Sequence, residues 1–450
     1  GNKMLLKFKT QNYKSFVEEA SFSMVAAPKQ KGLDYSLMKT KIKGKEIKGL
    51  SSSVIYGPNA AGKTNIIGAM DVLRAIVLRG NIRNSEEKSS PNPAASALEL
   101  IPNNNEMESK PVCFEIEFYE EDGEEHKFKI HYKLKIDLGT FLEEEYQRKI
   151  LAEVLEVNGE RIFERKKDLK VENLKVIKDY LSDITEQNAG SINEIAKNSL
   201  NQEELFLTNG FKLIFSPKFT KLIVDWFANK FMVIYRADSM QLIKRFADPK
   251  KKAVYVKKTT DEAAKLFGIN SNAIGYVVSD DEPDAKLYSI FKNMKDQKTT
   301  AIAADIFESY GTIRFINMFP LVIKAMQTGG TLVVDEFDAS IHPMALMSII
   351  NVFHNDDVNI HHAQLVFNTH NPIFLNSNLF RRDEIKFVER DDDTHDSVLY
   401  ALSDFGTTGD KGVRKHEDYM SKYFISQYGA IKDIDFTPIF EEILCDKKEE

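Results

Sequence analysis

The segment from Gly57 to Thr64 has the residue types and the spacing of a phosphate-binding loop, G-x-x-x-x-G-K-[ST]. The glycines allow the backbone to curl so that its amides point at phosphate oxygens. The lysine would reach the β- and γ-phosphates, and the threonine hydroxyl would ligate Mg²⁺. An apolar strand precedes the loop and an amphipathic helix follows it, which is the context that such a site needs. The candidate loop consists of Gly57, Pro58, Asn59, Ala60, Ala61, Gly62, Lys63, Thr64 and Asn65.

Two carboxylates, Asp335 and Glu336, directly follow the apolar run at 331–334. Ligands of open α/β sheets gather at the carboxyl ends of the strands, so we expect both acids close to the phosphate loop. Asp335 is then placed to hold Mg²⁺, mainly through water. Glu336 is placed to act as the general base that polarises an attacking water.

Three further groups of residues narrow the class of site. Ser309 and Gly311 begin a predicted helix whose N-terminus suits a γ-phosphate, although alone they also fit an ordinary helix cap. The residues 337–343 directly follow the two acids. His370 ends the next predicted strand, where it can contact a γ-phosphate, although a lone loop histidine would carry no such meaning.

Hydrophobic periodicity predicts the elements that position these residues. Alternation between 112 and 137 predicts an antiparallel hairpin, and apolar runs at 54–56, 331–334 and 364–367 predict buried strands. Helical patterns dominate residues 164–300. We therefore predict an α/β fold that includes an antiparallel hairpin. The residues 4–163 and 301–450 would form one discontinuous unit, and 164–300 a mainly helical insertion.

Composition indicates a soluble globular chain rather than a disordered or membrane-spanning one. The 450 residues are 42% hydrophobic and carry a net charge of −7, and no apolar stretch is long enough to cross a bilayer. The N-terminal residues lack the apolar core of a secretory signal. The two cysteines, Cys113 and Cys445, exclude a disulfide scaffold and favour the cytoplasm.

Charge is unevenly distributed along the chain. Residues 161–300 carry 25 basic and 19 acidic side chains. A basic cluster between Lys244 and Lys258 predicts either a patch for DNA, RNA or an acidic protein, or a solvated loop. The cluster consists of Lys244, Arg245, Lys250, Lys251, Lys252, Lys257 and Lys258.

In this order and spacing, the motifs resemble those of the ATP-binding-cassette ATPases of the RecF and SMC type. The segment 12–16, with Lys14 at its centre, resembles their N-terminal motif, and 57–65 resembles their Walker A motif. The residues 309–312 look like a variant signature motif, Asp335 and Glu336 like Walker B with its catalytic glutamate, 338–343 like the D-loop, and His370 like the switch histidine. The sequences DEFDASIHP, NTHNP, DEIKFVE and YFISQYGAI resemble more closely the ATPases related to the overcoming-lysogenization-defect nucleases.

This resemblance implies an ATPase head that combines a mixed sheet with an antiparallel β lobe. It implies ATP as ligand, Mg²⁺ as metal, and catalytic roles for Lys63, Glu336 and His370. It also implies two heads that close on ATP, with Ser309 and Gly311 acting on the nucleotide of the partner and Lys14 contributing to nucleotide binding. One departure is that no glutamine occurs from residue 66 to 146, so the usual Q-loop residue is missing. The asparagine-rich segment 101–105 is the candidate replacement.

Three functions remain open from the sequence. The first is an ATPase that regulates a separate nuclease or toxin in antiphage defence, since about 80 residues after His370 are too few for the nuclease domain of larger relatives. The second is a DNA-maintenance ATPase like RecF, and the third is a scaffold that binds ATP only to assemble. The sequence does not distinguish ATP from GTP.

Overall fold

The structure, a computed structural model, describes residues 2–28, 33, 37–58, 62–83, 101–103, 110–139, 147–183, 189–235, 253–255, 273–279, 282–292, 299–303, 310–338, 343–391, 393–404 and 437–446. Among the helices in these ranges, none combines the length and the apolar character that are required to cross a bilayer.

The strands account for most of the regular structure. Within the described ranges they are, in chain order, β1 (Lys3–Gln11), β2 (Ala20–Ser23), β3 (Leu37–Ile42), β4 (Lys45–Leu50), β5 (Ser52–Tyr56), β6 (Val112–Glu121), β7 (Lys127–Asp137), β8 (Lys149–Val157), β9 (Glu160–Arg165), β10 (Leu169–Val171), β11 (Phe231–Ile234), β12 (Ala253–Tyr255), β13 (Ala273–Ser279), β14 (Glu282–Lys292), β15 (Thr299–Ala303), β16 (Thr331–Val334), β17 (Gln364–Thr369), β18 (Ile385–Arg390) and β19 (Ser397–Ala401).

Helices flank these strands. The longer ones are α1 (Lys63–Arg79), α2 (Ala189–Asn198), α3 (Pro217–Asp225), α4 (Tyr310–Thr328), α5 (Pro343–His354) and α6 (Thr437–Asp446). Shorter helical turns, of the 3₁₀, α and π types, lie at Leu174–Tyr180, Leu207–Phe211, Lys212–Ile214, Trp226–Lys230, Pro372–Phe374, Arg382–Glu384 and Leu402–Asp404.

A six-stranded mixed sheet carries the strands that lead into the predicted site. Its order is β11-β16-β17-β5-β18-β19, and all neighbours pair in parallel except β18 with β19. β17 therefore lies between the strand before the phosphate loop and the strand before the two acids. The five parallel strands end at the same edge, so the residues that follow them can meet there.

A seven-stranded antiparallel sheet forms the second layer, in the order β10-β9-β8-β7-β6-β1-β2. Its register places unlike charges opposite each other on the outward face, for example Lys9 opposite Glu115, and Glu115 opposite Lys133. Cross-strand pairs of opposite charge favour one register over its neighbours. The predicted antiparallel lobe and the mixed sheet are both confirmed.

The main core lies between the inward face of the seven-stranded sheet and α1. Ile66, Met70 and Leu73 of α1 pack with Phe114 and Phe118 of β6, and all five are fully buried. The 3.6-residue period of α1 and the two-residue period of β6 bring both apolar faces to the same interface.

Gln364 joins the two sheets. Its side-chain oxygen accepts from the backbone amide of Leu5 at 2.7 Å and from the Thr331 hydroxyl at 2.6 Å. Its amide nitrogen donates to the carbonyl of Leu5 at 3.1 Å and to that of Leu50 at 2.9 Å. One fully buried side chain at the start of β17 thus ties the six-stranded sheet to β1 and to the end of β4.

The predicted mainly helical segment 164–300 is only partly correct. Helices occupy much of the described chain from Leu174 to Lys230, but from Phe231 to Ala303 the described residues form strands, and β12–β15 form their own antiparallel sheet. One of the helical patterns behind that prediction lies at 287–294, and it is wrong for the described residues 287–292, which belong to β14. Apolar residues three and four apart imitate a helix there, whereas pairing with β13 and β15 on both sides selects the strand.

The predicted boundary at residue 164 also disagrees with the packing. Trp226 stacks on Phe118 of β6 with ring centroids 3.9 Å apart, and β11 is an edge strand of the six-stranded sheet. Buried Glu153 of β8 accepts from the amides of Phe206 and Leu207 at 2.7 and 3.0 Å, which fixes the start of a helical turn on the antiparallel sheet. The described residues between 164 and 234 therefore pack as part of the same body as the sheets.

Two features of the sequence lie outside the described residues. These are the side chains of the basic cluster from Lys244 to Lys258 and the segment 423–431. Asp391 and Asp393 lie between β18 and β19, where the Asp391 carboxylate accepts from the amide of Asp393 at 2.9 Å.

Candidate nucleotide-binding site

Gly62 makes the turn from the phosphate-loop segment into α1, which begins at Lys63. Its φ angle is 93°, in the left-handed region that favours glycine. A Cβ atom at this position would lie 2.5 Å from Ser15 Oγ and 2.7 Å from Ser397 Oγ. The backbone conformation of Gly62 therefore favours glycine. The lack of space for a Cβ atom also favours glycine, and this steric restriction comes from Ser15 and Ser397, which are far away in the sequence.

Lys63 is buried at the first position of α1. Its ammonium donates to the carbonyl oxygen of Gly57 at 2.9 Å, so the side chain reaches back to the residue that directly follows β5. Burial lowers the pKa of Lys63, and the carboxylates of Asp338, Glu336 and Asp335 oppose that shift. The ends of β5 and β16 thus bring one cation and three anions into mutual electrostatic range.

Asp335 and Glu336 differ in environment although they are adjacent. Asp335 is buried and its amide donates to the carbonyl of Ile234 in β11 at 2.9 Å. Glu336 is exposed and has a φ angle of 52°. The left-handed backbone at Glu336 turns the chain directly after the strand, an uncommon conformation for a non-glycine residue that concentrates at functional sites.

Asn368, near the end of β17, holds both acids in place. Its side-chain nitrogen donates to Asp335 Oδ1 at 2.6 Å, and its side-chain oxygen accepts from the Glu336 amide at 2.5 Å. Asn368 is fully buried. The same residue therefore fixes the Asp335 carboxylate and the strained turn at Glu336.

The segment after β17 carries His370, which is exposed at the same edge of the sheet. The hydroxyl of the preceding residue, Thr369, donates to the carboxylate of Asp338. The Thr369 hydroxyl also accepts from the amide of Asn371 at 2.9 Å. Thr369 thus connects the residues around His370 to the segment that follows the two acids.

Lys14 lies in a loop between β1 and β2 and also has a left-handed backbone, with φ of 47°. Its amide donates to the carbonyl of Ile101 at 2.9 Å, and its carbonyl accepts from the side chain of Asn103 at 2.6 Å. Its ammonium donates to the hydroxyl of Tyr235 at 3.0 Å. The described part of the asparagine-rich segment 101–105 therefore supports the Lys14 loop.

Ser15 connects the Lys14 loop to the phosphate loop. Its hydroxyl accepts from the side chain of Asn65 at 2.8 Å, and its carbonyl accepts from the amide of Ser397 at 2.7 Å. The loop after β1, the start of α1 and the start of β19 meet at this point. The N-terminal motif and the phosphate loop, predicted from separate segments, are in direct contact.

The structure brings together most, but not all, of the predicted site residues. Gly57, Pro58, Gly62, Thr64 and Asn65 lie with Lys63 at the end of β5 and the start of α1. The residues Asn59, Ala60, Ala61 and Ser309 lie outside the described ranges, and Gly311 is in the first turn of α4. Sequence reasoning assigned no role to Asn368, Tyr235 or Ser397, because only their tertiary partners mark them.

The donor set suits a hard divalent cation such as Mg²⁺. Asp335 supplies a buried carboxylate at the sheet edge, and Thr64 supplies a hydroxyl in the first turn of α1, next to Lys63. Such oxygen ligands are those that Mg²⁺ prefers. These two residues are the ones that would hold the ion.

Two solved structures align over most of the chain with low similarity. An Smc head domain with an extended coiled coil, bound to the C-terminal domain of ScpA, from Pyrococcus furiosus has 12% identity, a TM-score of 0.34, and covers 89% of this chain and 96% of that one. An Smc head domain with a coiled coil and joint from Pyrococcus yayanosii has 11% identity, a TM-score of 0.38, and covers 89% and 97%. A search of curated proteins gave no match.

A family model matches residues 52–376, which contain the phosphate loop, both acids and His370. The match thus spans the strands β5, β16 and β17 that carry these residues. The chain belongs to the family of ATPases described as "AAA domain, putative AbiEii toxin, Type IV TA system".

Proposed function

We propose that this protein binds and hydrolyses ATP with Mg²⁺ at the edge where β5, β16 and β17 end. The observation that carries the proposal is the buried ammonium of Lys63 on the phosphate loop, within electrostatic range of Asp335, Glu336 and Asp338. A lysine alone would serve anion binding. A lysine facing carboxylates at the carboxyl ends of parallel strands suits a metal-bound polyphosphate.

Each residue then has a distinct task. The amides at the start of α1 and the Lys63 ammonium bind the phosphates, while Asp335 and Thr64 hold Mg²⁺, which neutralises developing negative charge when bound. Exposed Glu336 accepts a proton from the attacking water. Asn368 holds the backbone of Glu336 in its left-handed turn, and His370 donates to the γ-phosphate oxygens.

Two copies of the chain close on ATP in this proposal, with Ser309 and Gly311 of one copy completing the site of the other. The exposure of Glu336 and His370 at the site supports this, because both remain accessible to a second molecule. The family description names a putative toxin of a Type IV TA system. We extend the proposal to control of a separate nuclease or toxin in antiphage defence, which is the role that the sequence resemblance implies. Closing and opening of the heads would transmit the state of the nucleotide to that effector.

The test is ATP turnover by the purified protein together with its oligomeric state. We expect Lys63→Ala to abolish ATP binding and Glu336→Gln to bind ATP but to lose turnover and accumulate as a closed dimer. Lys212→Ala, which changes an exposed lysine on a helical turn away from the site, is the matched control and should behave as wild type. Wild-type turnover in Glu336→Gln would reject the assigned base.

The same ATPase site would also serve a DNA-maintenance protein, for which the sequence arguments are the resemblance to RecF and the basic cluster at Lys244–Lys258. Turnover measured with and without duplex DNA separates the two functions. Stimulation by DNA that disappears on reversing the charges of Lys250, Lys251 and Lys252 would favour DNA maintenance. Turnover that is indifferent to DNA favours control of a protein effector.

A further inference from the structure

Tyr235 lies at a junction that the proposed chemistry does not yet use. It directly follows β11, whose last residue, Ile234, accepts from the amide of Asp335 at 2.9 Å. Its ring lies against α1 at Gly68, where a Cβ atom would come within 3.0 Å of the ring. Gly68 is one helical turn beyond Thr64. Tyr235 is therefore held between the strand beside Asp335 and the helix that follows the phosphate loop.

From this position Tyr235 contacts the end of the Lys14 side chain. The Lys14 ammonium donates to the Tyr235 hydroxyl at 3.0 Å and lies 5.3 Å from the centre of its ring. The backbone of Lys14 is fixed independently, by Ile101 and Asn103 on one side and by the neighbouring contact of Ser15 with Asn65 on the other. Both ends of the lysine are thus held by elements far from it in sequence.

We propose that Tyr235 is a positioning residue, which holds the Lys14 ammonium beside the start of α1 so that it binds the phosphates of the nucleotide. The inference rests on the proposed ATP site and adds a residue to it. Lysine loses up to about 2 kcal/mol of side-chain rotational freedom when it is immobilised. A lysine already held by a tyrosine loses less of that freedom when ATP binds.

The chemistry of the pair is compatible with this role. An ammonium carries three donors, and a phenolic oxygen can accept one hydrogen bond while its own hydrogen donates another. The contact between Lys14 and Tyr235 therefore allows both groups to donate to the same anionic oxygen.

A double-mutant cycle on ATP affinity tests the proposal. Tyr235→Phe removes only the hydroxyl and keeps the ring against Gly68. Lys14→Met removes the ammonium, and with it both the charge and the donor to Tyr235, but keeps a side chain of similar length. We expect Tyr235→Phe to weaken binding of a fluorescent ATP analogue about three- to tenfold, as for a net hydrogen-bond effect of ~1 kcal/mol. We expect Lys14→Met to weaken it about tenfold or more, and the double variant to match Lys14→Met alone.

Matched controls separate positioning from general structure. Lys43→Met changes a lysine with a similar left-handed backbone, φ 49°, that bonds the carbonyl of Asn158 on the surface. Tyr180→Phe removes a hydroxyl that bonds Asp122. Both should leave ATP affinity unchanged, and the melting temperature of Tyr235→Phe without nucleotide should equal that of wild type.

Two results would overturn the inference. One is wild-type ATP affinity in Tyr235→Phe, and the other is effects of Tyr235→Phe and Lys14→Met that simply add. If the wild-type protein binds ATP, either result would reject the role of Tyr235 and would not contradict the proposed ATP site. Failure of the wild-type protein to bind ATP would instead reject the proposed function itself.

Discussion

The side chain of Asn368 bonds the Asp335 carboxylate at 2.6 Å and the Glu336 amide at 2.5 Å, so one residue of β17 fixes two consecutive acids after β16. The parallel register places Val334 beside Phe367, which brings the ends of the two strands level. Asn368 is positioned by the sheet, and the acids are positioned by Asn368. Precise placement of the Asp335 carboxylate and of the Glu336 backbone thus depends on a neutral amide.

Replacing Asn368 with alanine is expected to reduce ATP turnover about 10- to 100-fold, the usual effect of losing a residue that orients a metal ligand. Asn368→Asp should be worse, because it places a second carboxylate beside Asp335. Steady-state turnover measures both effects. The control, Asn351→Ala, changes an exposed asparagine on α5 and should retain wild-type turnover. Normal turnover in Asn368→Ala would show that the acids hold their positions without it.

Replacing Gly62 with alanine should impair both stability and nucleotide binding. The left-handed backbone alone costs about 1 kcal/mol for alanine, and the new methyl group would also collide with the hydroxyls of Ser15 and Ser397. Gly44→Ala isolates the first term, since Gly44 has a φ of 78° with no atom within 4 Å of the added Cβ. Urea denaturation should therefore show a larger loss for Gly62→Ala, and Ser397→Ala should recover part of the difference. Equal losses in the two glycine variants would exclude the collision.

The buried carboxyl of Glu120 should make stability depend on pH. Burial raises the pKa of Glu120 from 4.5 to about 7, while Lys3, at 3.5 Å, opposes the shift. Because the folded-state pKa is the higher one, the protonated group favours folding below pH 4.5, and this contribution is lost as the pH rises to about 7 and above. The difference in the free energy of unfolding between Glu120→Gln and wild type should therefore be more favourable to the variant at pH 8 than at pH 5, by on the order of 2–3 kcal/mol.

Urea denaturation of wild type and Glu120→Gln at the two pH values measures this difference. Glu124→Gln, at an exposed position near the same hairpin, should show no comparable dependence. An identical effect of Glu120→Gln at pH 5 and pH 8 would contradict the raised pKa.

Gln364→Leu should loosen the connection between the two sheets. The leucine fills a similar volume but leaves the amide and carbonyl of Leu5 and the carbonyl of Leu50 without their bonds to this side chain. Buried polar groups that lose a partner cost about 1–3 kcal/mol each, so we expect a loss of roughly 3 kcal/mol or more. Gln202→Leu changes an exposed glutamine and should cost little. A urea midpoint of Gln364→Leu close to wild type would show that apolar packing alone joins the sheets.

Short-range patterns in the sequence were sufficient to propose the phosphate loop and the paired acids and to predict the strands that precede them. The amides and side chains of such a loop act within a few residues, and an apolar run of four residues ended by two acids is visible locally. The hairpin of β6 and β7 was predictable for the same reason, since its alternation has a period of two along one stretch of chain.

Contacts between segments distant in the sequence decided which residues support the site and which segments became strands. The contact of Lys14 with Tyr235 spans 221 residues, and the bond of Asn368 to Asp335 spans 33. β11 has only four residues and became part of the six-stranded sheet through its partner β16, which no local period specifies. In β14, spacing typical of a helix yielded to hydrogen bonds with strands on both sides. The sequence alone determined the groups that can do the chemistry, whereas the tertiary structure decided which neutral residues hold them in position, because a hydrogen bond depends on distance in space and not on separation along the chain.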